Sequence, residues 1–433
     1  MSDYTIAVKY AMFFFMITMF IEWLSSKFLK QKVYNLPDTI SSISSGMTNN
    51  LKSILKLTVV IISYQWMYEH FAVFDIEASW WVYIIAFIGI DFANYWTHRW
   101  NHEFNILWNR HIIHHSSEEY NLACALRQSI SSIIQIYFFL YIPLSVIGIP
   151  GKVMSILLPL HLFAQFWYHT RLINKMGFLE KIIVTPSHHR VHHAVNDIYI
   201  DKNYSAIFIF WDFIFGTFQA ELKNEPPIYG IKKPANTWNP IIINFMHLFQ
   251  LFEDAFRTKK WKDKFRIWFM PTGWRPNDVE NKYPIILANI ENKKKYKTST
   301  TTFLNLWSSL QLLIHLGMQF HIIYLISYLD ISTNSTYGIF SAFEILILYG
   351  LFFVSSIAAF TSLMDNSYHS LIIETLKNII GFSLLIYFPE VLNIYRDIEI
   401  PFVLPVVYLI ISQSITVYFI IKFSKDKKLS FSL

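Results

Sequence analysis

At 433 residues the chain is long enough for two or three soluble domains, but 54% of it is hydrophobic, 18% aromatic and only 15% charged. That balance excludes an ordinary soluble protein and makes the bilayer the expected solvent. The net charge of +6 is concentrated between about 170 and 300, in a chain full of apolar runs. Anionic lipid headgroups, not nucleic acid, are therefore its expected counter-charge. The single cysteine, Cys124, excludes an intramolecular disulfide and any thiolate-based zinc or iron–sulfur site.

A helix needs about 20 apolar residues to cross the hydrocarbon core. About nine stretches qualify, near 5 to 24, 53 to 73, 80 to 97, 129 to 148, 152 to 169, 303 to 327, 338 to 360, 370 to 389 and 401 to 421. The predicted fold is an all-α, multi-pass membrane protein. The first run has no small-residue cleavage site after it and is read as a retained span. The fourth and fifth meet at Gly148, Ile149, Pro150 and Gly151, a hairpin whose arms either cross or re-enter.

Loop charges orient the chain. Lys27, Lys30 and Lys32 follow the first run, Asp75 and Glu77 follow the second, and the tail carries Lys422, Lys425, Lys427 and Lys428. The loops near 328 to 337 and 390 to 400 carry almost no basic charge. The positive-inside rule then places the N-terminus outside and the C-terminus in the cytoplasm. Three regions follow: N-terminal spans over 1–79, a histidine-rich catalytic region over 80–300 and a span-rich extension over 301–433. Within the second, Tyr204 to Phe218 and Ile241 to Phe256 are too amphipathic to cross and are expected to lie as helices along the membrane surface. The run 261–276, WKDKFRIWFMPTGWRP, alternates basic and aromatic residues as snorkelling Lys and interfacial Trp would. No glycine-rich phosphate loop is visible, so a nicotinamide, flavin or ATP site is not expected in this chain.

Eleven of the 16 histidines fall between residues 98 and 193. HRWNH places His98 and His102 one helical turn apart on a shared face. HIIHH supplies His111, His114 and His115, and HRVHH supplies His189, His192 and His193, with His188 just before it. In each of the latter boxes the outer pair shares a face while the adjacent histidines diverge enough to reach different metals. Together these eight imidazoles exceed what one ion uses. Each box lies at the cytoplasmic exit of a predicted span, so the three can converge. His70, His247, His315, His321 and His369 are isolated and read as packed or interfacial. Imidazole suits Zn, Cu, Fe and Ni alike, but a strongly electrophilic pair of ions held by neutral ligands suits oxygen activation.

These boxes, in this order between membrane spans, resemble the fatty acid hydroxylase and sterol desaturase superfamily. The stretches HHSSEEYNLACALRQS (114–129), TPSHHRVHHAVN (185–196) and DKNYSAIFIFWDFIFGTF (201–218) are similar to its alkylglycerol monooxygenase branch. The resemblance covers about 80 to 220. It implies an O2-dependent lipid monooxygenase with two iron ions on His98, His102, His111, His114, His115, His189, His192 and His193, and a catalytic role for Glu103, which follows His102 directly. Some superfamily hydroxylases carry a further HxxxH pair before the third box. Here that stretch is QFWYH, so His169 is taken as a ninth ligand and Gln165 is left out. Asp91 and Asn94, seven and four residues before His98 and so on its helical face, and Asp201 beyond the third box are candidates to hold the outward nitrogens of the ligands. The resemblance also implies an external electron donor, either tetrahydrobiopterin or a cytochrome b5 or ferredoxin-type partner. Within the same chemistry stands a hydroxylase or desaturase of sterol, carotenoid or acyl lipids; outside it stand a zinc membrane hydrolase and a metal transporter.

Overall fold

The computed structural model describes residues 3–328, 336–337, 340–395, 398–426 and 428–430. Residues 329–335 of the loop expected near 328 to 337, residues 396–397 of that near 390 to 400, and Lys427 lie outside the described residues. The chain is mostly helical. Its first half holds α1 (Asp3–Phe28), α2 (Leu36–Ile54), α3 (Tyr64–Phe71), α4 (Trp80–Glu103), α5 (Asn105–Trp108), α6 (Ile112–His115), α7 (Ile142–Ile147) and α8 (Gly151–Phe163). Then follow α9 (Pro186–His192), α10 (Phe210–Ile214), α11 (Pro240–Arg257), α12 (Trp261–Arg266) and α13 (Asn277–Lys282). The last four helices are α14 (Thr302–Tyr328), α15 (Ala342–Met364), α16 (His369–Tyr387) and α17 (Val403–Lys425). Strands among the described residues are only two or three residues long.

Four helices are long and apolar enough to cross a membrane among the described residues: Thr302–Ile326 within α14, then α15, α16 and α17. They coincide with the last four expected spans. The 26-residue α1 covers the first. The 24-residue α4 covers the third, but its second half turns polar from Asp91 onward and carries the first histidine box.

The other expected spans are not continuous helices. In 53 to 73, Lys56 takes a left-handed φ of 52°, and Ser63 starts a new helix by accepting a hydrogen bond from Trp66 N at 3.1 Å. Between them Val59 and Val60 pair in parallel with Ile134 and Gln135. Two stretches expected to cross thus lie side by side. In 129 to 148 helix is confined to the last turns, and Gly148 ends α7 at φ 91°, where a Cβ would meet the Phe74 carbonyl. The 13-residue α8, interrupted by Pro159, reaches about 20 Å, short of a hydrocarbon core of about 30 Å.

Two further expectations differ. Of Tyr204 to Phe218 only α10 is helical, and Tyr204, Ser205, Ile209 and Asp212 are buried. That stretch supports the histidines and does not lie on a surface. In contrast, α11 is amphipathic: Ile243, Leu251 and Asp254 point inward while Phe249, Phe252 and Phe256 are exposed.

The sequence reading has no counterpart for α2, whose TISSISSGMTNN looks like a loop. Asn35 caps it and Pro37 opens its first turn. One side, with Ile40, Met47 and Leu51, joins the core formed by Ile345, Phe353 and Leu409 of the closing spans. The other side is polar and buried, and it grips Arg127. The Arg127 guanidinium is 2.7 Å from Asp38 Oδ1, 2.9 Å from Ser42 Oγ and 2.7 Å from Ser116 Oγ. So α2 couples the C-terminal bundle to the second histidine box. Cys124 is buried nearby against Tyr120 and Tyr229.

Removing one partner of a buried ion pair strands the other charge. Asp38→Ala should therefore destabilise the protein by about 3–5 kcal/mol, while Asp38→Leu combined with Arg127→Met should recover part of that loss. Thermal unfolding of the purified protein checks both, and a change in Asp38→Ala typical of a surface pair would contradict this account.

Candidate metal centre

The helix α4 carries His98 and His102 on one face, at the end where it leaves its apolar half. The chain reverses at Phe104, runs through α5 and enters α6, with His111 in the cap position and His114 and His115 in the helix. His169 lies just beyond α8. The third box lies on α9, which starts at Pro186 with Thr185 as cap. His188 completes that cap by accepting from Thr185 N through Nδ1 at 3.4 Å, so it does not join the others.

The nine remaining histidines separate into two groups. His98, His102, His111, His115 and His192 form one, and His114, His169, His189 and His193 form the other; within each group the ligand-capable nitrogens lie within 4.8 Å of one another. The adjacent histidines of HIIHH and of HRVHH do diverge to different groups, as their spacing suggests. The second group is wholly buried, whereas His98 and His111 of the first are partly open.

Hydrogen-bond direction says what these nitrogens do. A carbonyl only accepts, so a ring nitrogen beside one carries the proton and leaves the other nitrogen as a bare lone pair. His114 Nδ1 lies 3.3 Å from Arg127 O, and His169 Nδ1 lies 3.0 Å from Gln165 O. Their Nε2 lone pairs then face each other at 3.3 Å, an arrangement that repels unless a cation lies between them. His98 is fixed in the same way, with Nδ1 at 2.8 Å from Tyr204 O, so its Nε2 lone pair faces His111 Nε2 at 3.0 Å. His192 gives Nδ1 to Lys202 O at 2.9 Å, and its buried Nε2 has no partner. Burial also holds His111, His114, His115, His189, His192 and His193 well below the usual imidazole range. Neutral and converging, these donors fit two transition-metal ions.

Glu103 is not brought into either group. Its carboxylate pairs with Arg99 at 2.8 Å on the half-open side of α4. Asp91 does not hold His98 either, because two helical turns separate them by about 10 Å along the axis. Instead it accepts from His161 Nε2 at 2.7 Å, Ile207 N at 3.0 Å, Phe208 N at 3.1 Å and Trp211 Nε1 at 3.0 Å. Asn94 donates to Ile90 O in its own helix. Asp201 does approach a ligand candidate, at 3.8 Å from His102 Nδ1. The Gln165 side chain turns to His161, outside the groups. His161 itself went unremarked in the sequence, although a buried Asp91 in an apolar helix demands a partner. The isolated histidines bond outside the two groups: His70 to Trp66 O, His247 to Asn105 O, His315 to Gln311 O, His321 to Tyr349 OH and Asn393 O, and His369 to Ser367 Oγ.

Comparison with known proteins agrees with this geometry. The profile of the family described as fatty acid hydroxylase matches residues 83–217. Alkylglycerol monooxygenase of Homo sapiens is 40% identical over 313 residues, covering 72% of this chain and 69% of that protein. The Xenopus tropicalis alkylglycerol monooxygenase is 35% identical, covering 72% of this chain and 70% of its own length. That of Danio rerio is 39% identical, covering 55% and 53%. No solved structure matches.

The division into groups makes a separable prediction. His192→Ala should lose the metal of the first group and His114→Ala that of the second, each keeping about half the bound metal, since an open first-sphere position typically costs far more than the 10–100-fold of an outer-sphere change. Glu103→Gln should keep the full amount. Elemental analysis of the purified variants reads the result, and unchanged metal in both alanine variants would remove the assignment.

Proposed function

The chain belongs to the alkylglycerol monooxygenase family, and from that premise we propose that it oxygenates the ether-linked chain of an alkylglycerol-type lipid. It is a membrane monooxygenase, and that identity leaves no room for the hydrolase and transporter readings. The attacked carbon is the one next to the ether oxygen. There a C–H bond becomes C–OH, with the second oxygen atom of O2 leaving as water after two electrons and two protons are taken up. The product is a hemiacetal. As its C–O bond breaks, the hydroxyl proton passes to the departing glycerol oxygen, giving a fatty aldehyde and a free glycerol compound.

The observation that carries this reading is the pair of histidine groups whose ligand-capable nitrogens converge within 4.8 Å. Two iron ions bound there would supply O2 activation, the hard part of the chemistry. The residues of the chain do the rest. Desolvation keeps the nine imidazoles neutral, so metal binding does not have to displace protons from them. The Trp108 ring, 4.9 Å from that of His102 and 5.5 Å from that of His115, walls the first group against water. Substrate is expected at the first group, where His98 and His111 are partly open. Electrons come from outside this chain, from a reduced pterin or a small redox protein.

The lipid is expected to arrive along the membrane surface. Phe249, Phe252, Phe256, Trp261, Phe265 and Phe269 are exposed on α11, α12 and the turn after them, among Arg257, Lys259, Lys260, Lys262, Lys264 and Arg266. This segment hangs on the turn after the first box: Asn105 N donates to Met270 O at 3.0 Å, Thr272 N to Glu103 O at 3.1 Å and the Thr272 hydroxyl to His102 O. An interfacial helix seated this way holds the mouth of the site at the headgroup level, on the cytoplasmic side if loop charge sets the orientation.

The iron-loaded protein, given an alkylglycerol, O2 and a reduced pterin, should release fatty aldehyde and glycerol, with the aldehyde-forming oxygen drawn from labelled O2. Conversion of a sterol or an acyl lipid instead would move the substrate assignment to another branch with the same metals. Orientation is checked separately by cysteine labelling on a Cys124→Ser background. Glu77→Cys should react from outside and Lys294→Cys only from the cytoplasm; reaction of both from one side would break the orientation.

A further inference from the structure

Three of the five histidines in the first group rest their outward nitrogens on one loop, residues 201–205. The Asp201 carboxylate lies 3.8 Å from His102 Nδ1, Lys202 O lies 2.9 Å from His192 Nδ1, and Tyr204 O lies 2.8 Å from His98 Nδ1. The second group draws on other elements: His169 Nδ1 on Gln165 O and Phe166 O of its own turn, and His114 Nδ1 on Arg127 O.

The loop has an unusual shape that something must hold. Asp201 and Asn203 take left-handed φ values of 57° and 56°, a region that Asp and Asn tolerate better than other side chains. Asn203 ties one side, donating from Nδ2 to His188 O at 3.0 Å and Gln219 O at 2.8 Å, and accepting from Gln219 N at 2.8 Å. The other side is tied by Asp212, a fully buried carboxylate on α10 that the reaction does not otherwise use. It accepts from Tyr204 N at 2.8 Å, Ser205 N at 3.0 Å and Thr217 Oγ1 at 2.6 Å.

The Ser205 N–H that binds Asp212 and the Tyr204 C=O that binds His98 belong to the same peptide unit. Negative charge on Asp212 therefore polarises that peptide, strengthens its carbonyl as an acceptor and makes the far nitrogen of His98 a better donor to a metal. We propose that Asp212 is a positioning residue which, through this peptide and the 201–205 loop, sets the orientation and tautomer of His98, His102 and His192 and so tunes the first metal position independently of the second. The inference rests on the metal reading above and adds that the two positions are controlled separately.

The test uses the full chain in lipid nanodiscs, loaded anaerobically with ferrous iron enriched in the Mössbauer-active isotope. The parent protein should show two iron components of equal area. Asp212→Asn, which keeps the size but removes the charge, should shift or lose one component and leave the other unchanged, with binding at the affected position about 10–100-fold weaker. Thr217→Val removes one bond to Asp212 and decides the matter if Asp212→Asn fails to fold: it should shift the same component by a smaller amount. Equal change in both components, or no change in either variant, overturns the inference while leaving the metal reading intact. A parent protein that binds no iron overturns the metal reading and the inference together.

Discussion

Facing lone pairs are the constraint on which the rest of this structure depends. Imidazole nitrogens converge at 3.0–3.3 Å, and those of His114 and His169, each with its proton fixed on the far side by a carbonyl, cannot satisfy one another. Packed without a cation they store repulsion, and packed around one they become a preformed ligand set. The surrounding protein bears the cost of holding them there. Helix α4 supplies a shared face, the reversal at Phe104 returns the chain so that His111 and His115 meet His98 and His102, and the cap at Thr185 starts α9 at the register that brings His189, His192 and His193 inward.

The layers around the groups do different tasks. Beside the second group Arg127 presents its carbonyl to His114 while its guanidinium is clamped by Asp38 and Ser42 of α2. Asp91 and His161 bind α4 to α8 and to the backbone at 207–208, fixing the helices on which His98 and His169 depend. Glu22 reaches from α1 to the Thr170 hydroxyl and Leu122 N, tying the first helix to the residue after His169. Buried charged groups of this kind are costly unless fully bonded, and each of these is bonded on several sides.

Much of this arrangement was legible in the sequence, and the parts that were not have physical reasons. Box spacing is local geometry, so it predicted which histidines share a face and which neighbours diverge. Long apolar runs predicted α14 to α17 because a spanning helix satisfies its own backbone. Runs 53 to 73 and 129 to 148 misled because hydropathy records composition and not caps: Lys56, Ser63 and Gly148 break the helices at points that a window average hides. Helix α2 escaped because its inward face is hydroxyl-rich, with partners such as Arg127 and Gln128 far along the chain. Helical phase alone points Asp91 toward His98, and axial distance along α4 keeps them apart. The supports for the outward nitrogens were hidden for a further reason: most are backbone carbonyls, which no residue pattern records.

The burial of Cys124 has a consequence for how such an enzyme ages. Enclosed by Tyr120 and Tyr229, its thiol is pushed up to about 12 by burial, so the reactive thiolate is essentially absent at neutral pH. A catalyst that handles O2 leaks oxidants, and a sulfenic acid or mixed disulfide is the usual first lesion. This chain offers no sulfur at that rung of the ladder. Its wear during turnover should fall on methionines, whose sulfoxides need dedicated reductases, and on the imidazoles themselves.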